Sequence, residues 1–208
     1  MKTCYFCGKP ATTREHIPPL LLFPIQNNDA NYRKNLITVP SCKEHNLAKS
    51  CDDEYFCFVL MTSNNSNSIP EKFMIQKLSR SIYRNPNIFF DIFKNVEYSE
   101  IKKNGIYHNL IEYNVDINRI NNVLKYMSMG IYFHEFNIIC EYEFISSNFL
   151  SEGLEAEKIN EILRISELIP YKGENKKIFK YKIILTNKLY FLILSFYEGN
   201  IIITKSTK

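Results

Sequence analysis

The sequence predicts an α+β protein in two parts, a small metal-stapled module at the N-terminus and a larger α+β body behind it. Three observations carry that expectation. Cys4, Cys7, Cys42, Cys51 and Cys57 crowd into the first 57 residues, and only Cys140 lies beyond them. A polar stretch, Thr62-Ser63-Asn64-Asn65-Ser66-Asn67-Ser68-Ile69-Pro70, then interrupts the hydrophobic patterning and reads as a linker or long surface loop. Past it, helix-like and strand-like periods alternate in ordinary composition. The expected boundaries are 1–62 for the module and 71–208 for the body. With 208 residues, 45% hydrophobic and 14% aromatic, the chain has the means for a packed core, and global disorder is excluded.

The module comes first. Cys4-Tyr5-Phe6-Cys7 has the two-residue spacing of a zinc knuckle, and Gly8 follows where a tight turn lets backbone amides approach the sulfurs. Cys42-Lys43-Glu44-His45 repeats that spacing thirty-five residues after Cys7. Two paired thiolate and imidazole half-sites suit tetrahedral Zn²⁺, and four protein ligands close the shell, the signature of a structural ion. Cys51 competes for the fourth place, but His45 has the better spacing. Nothing at the N-terminus resembles a secretory signal, so a reducing, cytoplasmic setting is expected, where such cysteines favour metal over disulfides.

Between and behind the half-sites stand residues that a scaffold does not need. They are Arg14-Glu15-His16-Ile17-Pro18-Pro19, Asn35-Leu36, and then Asn46, Lys49, Ser50, Asp52 and Asp53. Hydrolysing a phosphodiester takes a base to activate water and a cation to stabilise the crowded phosphate. His16 is the candidate base, and Glu15 and Asn46 are oxygen donors suited to Mg²⁺ or Mn²⁺. Ser50 and Asp53 fall on the Asn46 face of a helix and are candidates to support that cation, while an exposed helix surface explains them equally well. Leu47, Cys51, Tyr55 and Phe58 form the opposite, apolar stripe. Cys51 and Cys57 read as small buried hydrophobes.

The body follows. Glu71 to Lys94 has helical spacing interrupted at Asn85-Pro86. Val96–Ile101 and Ile106–Val115 read as strands about the turn Lys103-Asn104-Gly105. Asp116 is placed to cap a helix running through Ile120, Val123, Leu124, Met127, Ile131 and Phe133. Phe136–Phe144 reads as a strand and Glu152–Leu168 as a helix. Segments 177–186, 189–197 and 200–204 read as a closing antiparallel meander. His108 and His134 read as structural. No run reaches the ~18 apolar residues of a membrane span, so no membrane partner is expected.

A net charge of +4 carries no polybasic segment. Nucleic-acid binding would need a local basic face, and Arg80, Arg84, Lys94, Lys102 and Lys103 are the candidates in the middle of the chain.

The order CxxC, acid-His-Ile-x-Pro, Asn-Leu, CxxH-Asn, Lys resembles the HNH endonuclease family over about residues 4–54. The resemblance implies a treble-clef ββα-metal module holding structural zinc on Cys4, Cys7, Cys42 and His45. It makes His16 the general base, Asn35 the residue that orients it, and Glu15 and Asn46 the holders of a catalytic Mg²⁺, Mn²⁺ or Ni²⁺. Two departures stand out: Glu15 replaces the commoner Asp, and His45 replaces a cysteine. The implied function is metal-dependent cleavage of DNA, leaving a 3′-hydroxyl and a 5′-phosphate, in restriction, phage defence or a mobile element. The body would then select substrate, form a homodimer or receive a regulatory partner. The alternatives are a non-catalytic zinc module that binds nucleic acid or protein, and a toxin-like RNase on the same scaffold.

Overall fold

The computed structural model describes residues 2–25, 31–70, 83, 96–103, 105–147, 156–186 and 189–207. The helix expected over 71–94, with Arg80, Arg84 and Lys94, lies outside them.

The N-terminal part is a hairpin followed by helix. β1 (Thr13–His16) pairs antiparallel with β2 (Thr38–Ser41), with Glu15 opposite Val39 and His16 opposite Thr38. Strand alternation sends Thr13, Glu15, Val39 and Ser41 to one face and Arg14, His16, Thr38 and Pro40 to the other. The first face is inward, since Glu15, Val39 and Ser41 are buried. Between the strands the chain passes a cis Ile17–Pro18 bond and one 3₁₀ turn, Leu20–Leu22. Helix α1 (Lys43–Leu47) is short, breaks at Ala48 and Lys49, and resumes as α2 (Ser50–Thr62). That break changes the expected helix face. Tyr55 and Phe58 are buried, but Leu47 is 58% exposed and Cys51 is exposed too, because α1 and α2 do not share one continuous stripe.

The body mixes helix and strand, as expected of an α+β chain. β3 (Val96–Lys103) and β4 (Ile106–Tyr113) form a two-stranded ribbon turned at Gly105, whose φ of +83° suits glycine. Helix α3 (Ile117–Phe136) begins where the Asp116 carboxylate accepts the backbone N–H groups of Asn118 and Arg119. It ends at Asn137, in the left-handed region with φ +53°. The strand expected over Phe136–Phe144 is therefore corrected. That apolar run is the last helical residue and an irregular connection, and only β5 (Phe144–Ser147) is strand.

A four-stranded antiparallel sheet in the order β5-β8-β7-β6 closes the fold, with β6 (Phe179–Leu185), β7 (Tyr190–Phe196) and β8 (Asn200–Ser206). Period-two alternation gives it two apolar faces. Ile184, Ile193 and Ile203 meet Ile159, Ile162 and Leu163 of helix α4 (Ala156–Glu167). Leu192, Leu194, Phe196 and Ile202 join the main core with α3. No described helix is long and apolar enough to cross a membrane.

That main core is continuous from Cys4, Tyr5, Ile17 and Leu22 through α2 and α3 to β6, β7 and β8, so it spans the boundary expected at 62–71. The polar stretch there is a packed turn. Ser63 Oγ donates to Asn200 Oδ1 at 2.6 Å, and the Asn67 amide side chain donates to the Lys177 carbonyl at 2.8 Å. A Cβ on Gly199 would fall 1.8 Å from the Asn65 carbonyl oxygen, so glycine is what lets the two turns meet. Helix α3 packs tightly against the residue that follows β1: a Cβ on Gly130 would lie 2.6 Å from Ile17 Cδ1. Gly130→Val is expected to lower stability by about 1–3 kcal/mol through overpacking against Ile17, read as a drop in Tm by circular dichroism.

Candidate functional site

The knuckle Cys4–Cys7 turns tightly. Gly8, at φ +74°, donates its N–H to the Cys4 carbonyl at 2.9 Å. The ligand atoms of Cys4, Cys7, Cys42 and His45 all lie within 4.8 Å of one another. Cys7 Sγ is 4.0 Å from Cys42 Sγ, and Cys42 Sγ is 3.1 Å from His45 Nδ1. Two Zn–S bonds of ~2.3 Å at a tetrahedral angle set sulfurs roughly 3.8 Å apart, so this set fits a metal such as zinc. Burial would raise the Cys4 thiol, but backbone hydrogen bonds at Cys42, Cys7 and Phe6 bring it below its ordinary value, the direction that favours a thiolate ligand. Cys51 is not a member of the cluster. The Phe6 ring packs against both the His45 imidazole, at 4.6 Å, and the Tyr126 ring of α3, at 4.3 Å, so the body supports the Cys/His cluster directly.

Directly behind the hairpin sits a buried ionic triad. Lys49, 2% exposed, places its ammonium 2.8 Å from Glu15 Oε1 and 2.7 Å from Asp53 Oδ2. Tyr5 Oη donates to the other Glu15 oxygen at 3.0 Å. Asp53 follows Lys49 by four residues, one helical turn, which brings both to one face. Burial outweighs the Lys49 charge and pushes the Asp53 carboxyl from an ordinary 3.8 up to about 6. Its neighbour Asp52 faces α3 instead, taking Arg119 Nε at 2.9 Å and Asn122 Nδ2 at 2.7 Å.

His16 occupies the opposite face of the hairpin. Burial first, then Arg33 and Arg14, hold its imidazole below the ordinary histidine value, so the ring is neutral near pH 7 and free to accept a proton. Arg14 Nε donates to Thr38 Oγ1 at 3.1 Å, and Arg33 is fixed by donating to the Phe23 carbonyl at 3.1 Å.

The residues singled out in the sequence thus divide into three groups. Cys4, Cys7, Cys42 and His45 converge. Glu15, Asp53 and, through its amide donated to Thr13 Oγ1 at 3.1 Å, Asn46 lie toward the inner face of the hairpin. His16 lies on the outer face. Asn35 is exposed in the left-handed region, with φ +52°, and no hydrogen bond joins it to His16 among the described residues. Ser50 is exposed and donates to the Leu47 carbonyl at 3.0 Å. As arranged, Glu15 and Asn46 do not offer an open oxygen set for a catalytic cation, because both Glu15 oxygens are engaged and the nearer charge is already an ammonium. Sequence reasoning gave no part to Tyr5, Arg33 or Tyr126 and did not foresee Lys49 as a buried cation. The Lys49–Asp53 spacing was the available signal.

No protein-family model, curated protein or solved structure matches the chain.

Two outcomes follow from this geometry. Lys49→Met leaves two carboxylates without their counter-charge and is expected to cost about 3–5 kcal/mol, read by urea denaturation. The folded state holds the Asp53 proton more tightly than the unfolded state, so this group's contribution to stability is greatest below an ordinary 3.8 and is lost as pH rises to about 6. The stability difference between wild type and Asp53→Asn, measured across that window, should therefore shift against wild type as pH rises.

Proposed function

We propose that the chain is an HNH-type endonuclease acting on DNA, in which a treble-clef module carries structural zinc and His16 serves as the general base. The observation that carries this reading is the half-buried His16 imidazole on the outer face of a hairpin beside the Cys/His cluster, held in its neutral form first by burial and then by the charges of Arg33 and Arg14. A neutral imidazole can take the proton of an attacking water. Arg14 and Arg33 supply fixed positive charge for a phosphodiester and for the additional negative charge that develops during displacement. The CxxC/CxxH set keeps the strand that bears His16 in register with the helix that bears Asn46. Only a state in which Lys49 has left Glu15 would let that carboxylate hold a divalent cation, which would then supply further charge stabilisation.

A second reading is favoured by the Lys49 ammonium at Glu15. RNA carries its own nucleophile, and cleavage by it calls for no bound cation. His16 would take the 2′-hydroxyl proton, the 2′-oxygen would bond to phosphorus, and the 5′-oxygen would leave and be protonated by water, giving a 2′,3′-cyclic phosphate.

One assay separates these. Plasmid DNA and a structured RNA are each incubated with wild type and His16→Ala, with and without Mg²⁺, Mn²⁺ or Ni²⁺, and zinc is measured in both preparations. The DNA reading expects divalent-dependent nicking that falls by roughly 10²–10⁴-fold in His16→Ala with zinc unchanged. The RNA reading expects cyclic-phosphate ends without added metal. Equal cleavage by both proteins sinks the role given to His16. Absence of cleavage with zinc in place leaves a non-catalytic binding module as the function.

A further inference from the structure

The β3–β4 ribbon takes no part in the Cys/His cluster or the buried ionic triad. Its strands are eight residues each, and among the described residues no third strand pairs with it. A lone two-stranded hairpin is marginal in water and presents two free edges. Yet it displays large apolar side chains: Tyr98 is 83% exposed, Tyr107 65%, Ile106 63% and Ile111 54%. Cross-strand pairing sets Tyr98 opposite Ile111 and Lys102 opposite Tyr107 on one face. At its base Tyr113 packs against the main core and its Oη pairs with Thr62 Oγ1. Such a patch on an extended edge marks a surface that is covered in use.

Charge identifies the cover. β3 is divided along its length, with Glu97 and Glu100 toward the base and Lys102 and Lys103 at the tip. At the base Glu97 stands directly opposite Glu112, a like-charge pair that costs stability without a neighbouring cation. Three carboxylates against two lysines repel phosphates, so a nucleic-acid strand is a poor occupant. A second copy of this chain is a good one. We propose that β3 pairs antiparallel with β3 of a second copy, making a four-stranded sheet across a two-fold axis. The antiparallel run sets the Glu97 end of each β3 against the lysine tip of the other, and the outer backbone groups of both strands find partners. This inference is independent of the nuclease reading.

The test uses the full chain and charge reversal. Mass is measured by sedimentation equilibrium across the micromolar range for wild type, Glu97→Lys/Glu100→Lys, and Lys102→Glu/Lys103→Glu, with circular dichroism and zinc content confirming that each is folded. Wild type is expected to dimerise, and each reversal is expected to weaken the dimer by roughly tenfold or more. A 1:1 mixture of the two reversed proteins should recover association as a heterodimer, which a merely misfolded variant cannot do. A monomeric wild type, or a dimer indifferent to both reversals, overturns the proposal. So does a lysine-tip reversal that abolishes DNA binding while leaving the mass unchanged, which would assign the ribbon to nucleic acid.

Discussion

Everything near the hairpin depends on one buried ammonium. Lys49 has almost no access to water and stands between Glu15 of β1 and Asp53 of α2. Removing a charge from water costs several kcal/mol, and only close counter-charges and hydrogen bonds offset it. Lys49 can therefore be buried only while strand and helix hold their present relation. Tyr5, next to Cys4 of the Cys/His cluster, completes the shell of Glu15. The ionic contact and the Cys/His cluster thereby constrain neighbouring residues at the start of the chain.

The second constraint is steric and comes from α3. Its Tyr126 ring backs Phe6 and His45, and its Gly130 admits Ile17 against the helix backbone. Ile17 adjoins His16, so the helix that supports the metal ligands also fixes the strand end carrying the imidazole. Asp52, through Arg119 and Asn122, pins α2 to the first turns of α3. The N-terminal part and the body share one core for these local reasons, although the composition changes sharply between them.

The sequence is legible where a local rule decides the outcome. The doubled two-residue spacing foretells the four-ligand cluster, Asp116 foretells a helix start, and the alternating apolar runs foretell the closing sheet. Tertiary partners decide the rest. Ser63 and Asn67 read as linker because their type is polar, but their partners, Asn200 and the Lys177 carbonyl, lie more than a hundred residues away. Asn137 ends α3 in a left-handed conformation inside an apolar run that otherwise resembles strand. Glu15 and His16 read as one working pair because they are adjacent, and adjacency on a strand is what separates them onto two faces. Glu15, Val39 and Ser41 form the buried face of that hairpin, and nothing local states that this is the face turned inward.

The bond from Tyr197 Oη to the Leu22 carbonyl, at 2.7 Å and 175 residues of separation, joins the first part of the chain made on the ribosome to one of the last. The segment holding Leu22 and Phe56 is synthesised long before Phe196, whose ring meets Phe56 at 5.4 Å, and before Tyr197 exists. The four residues that could hold a metal all lie within the first 45, whereas that apolar surface waits for the last strands. During the interval it is open to chaperones and to other nascent chains. A metal held there during synthesis would act as a placeholder, keeping the hairpin in register until the C-terminal strands arrive.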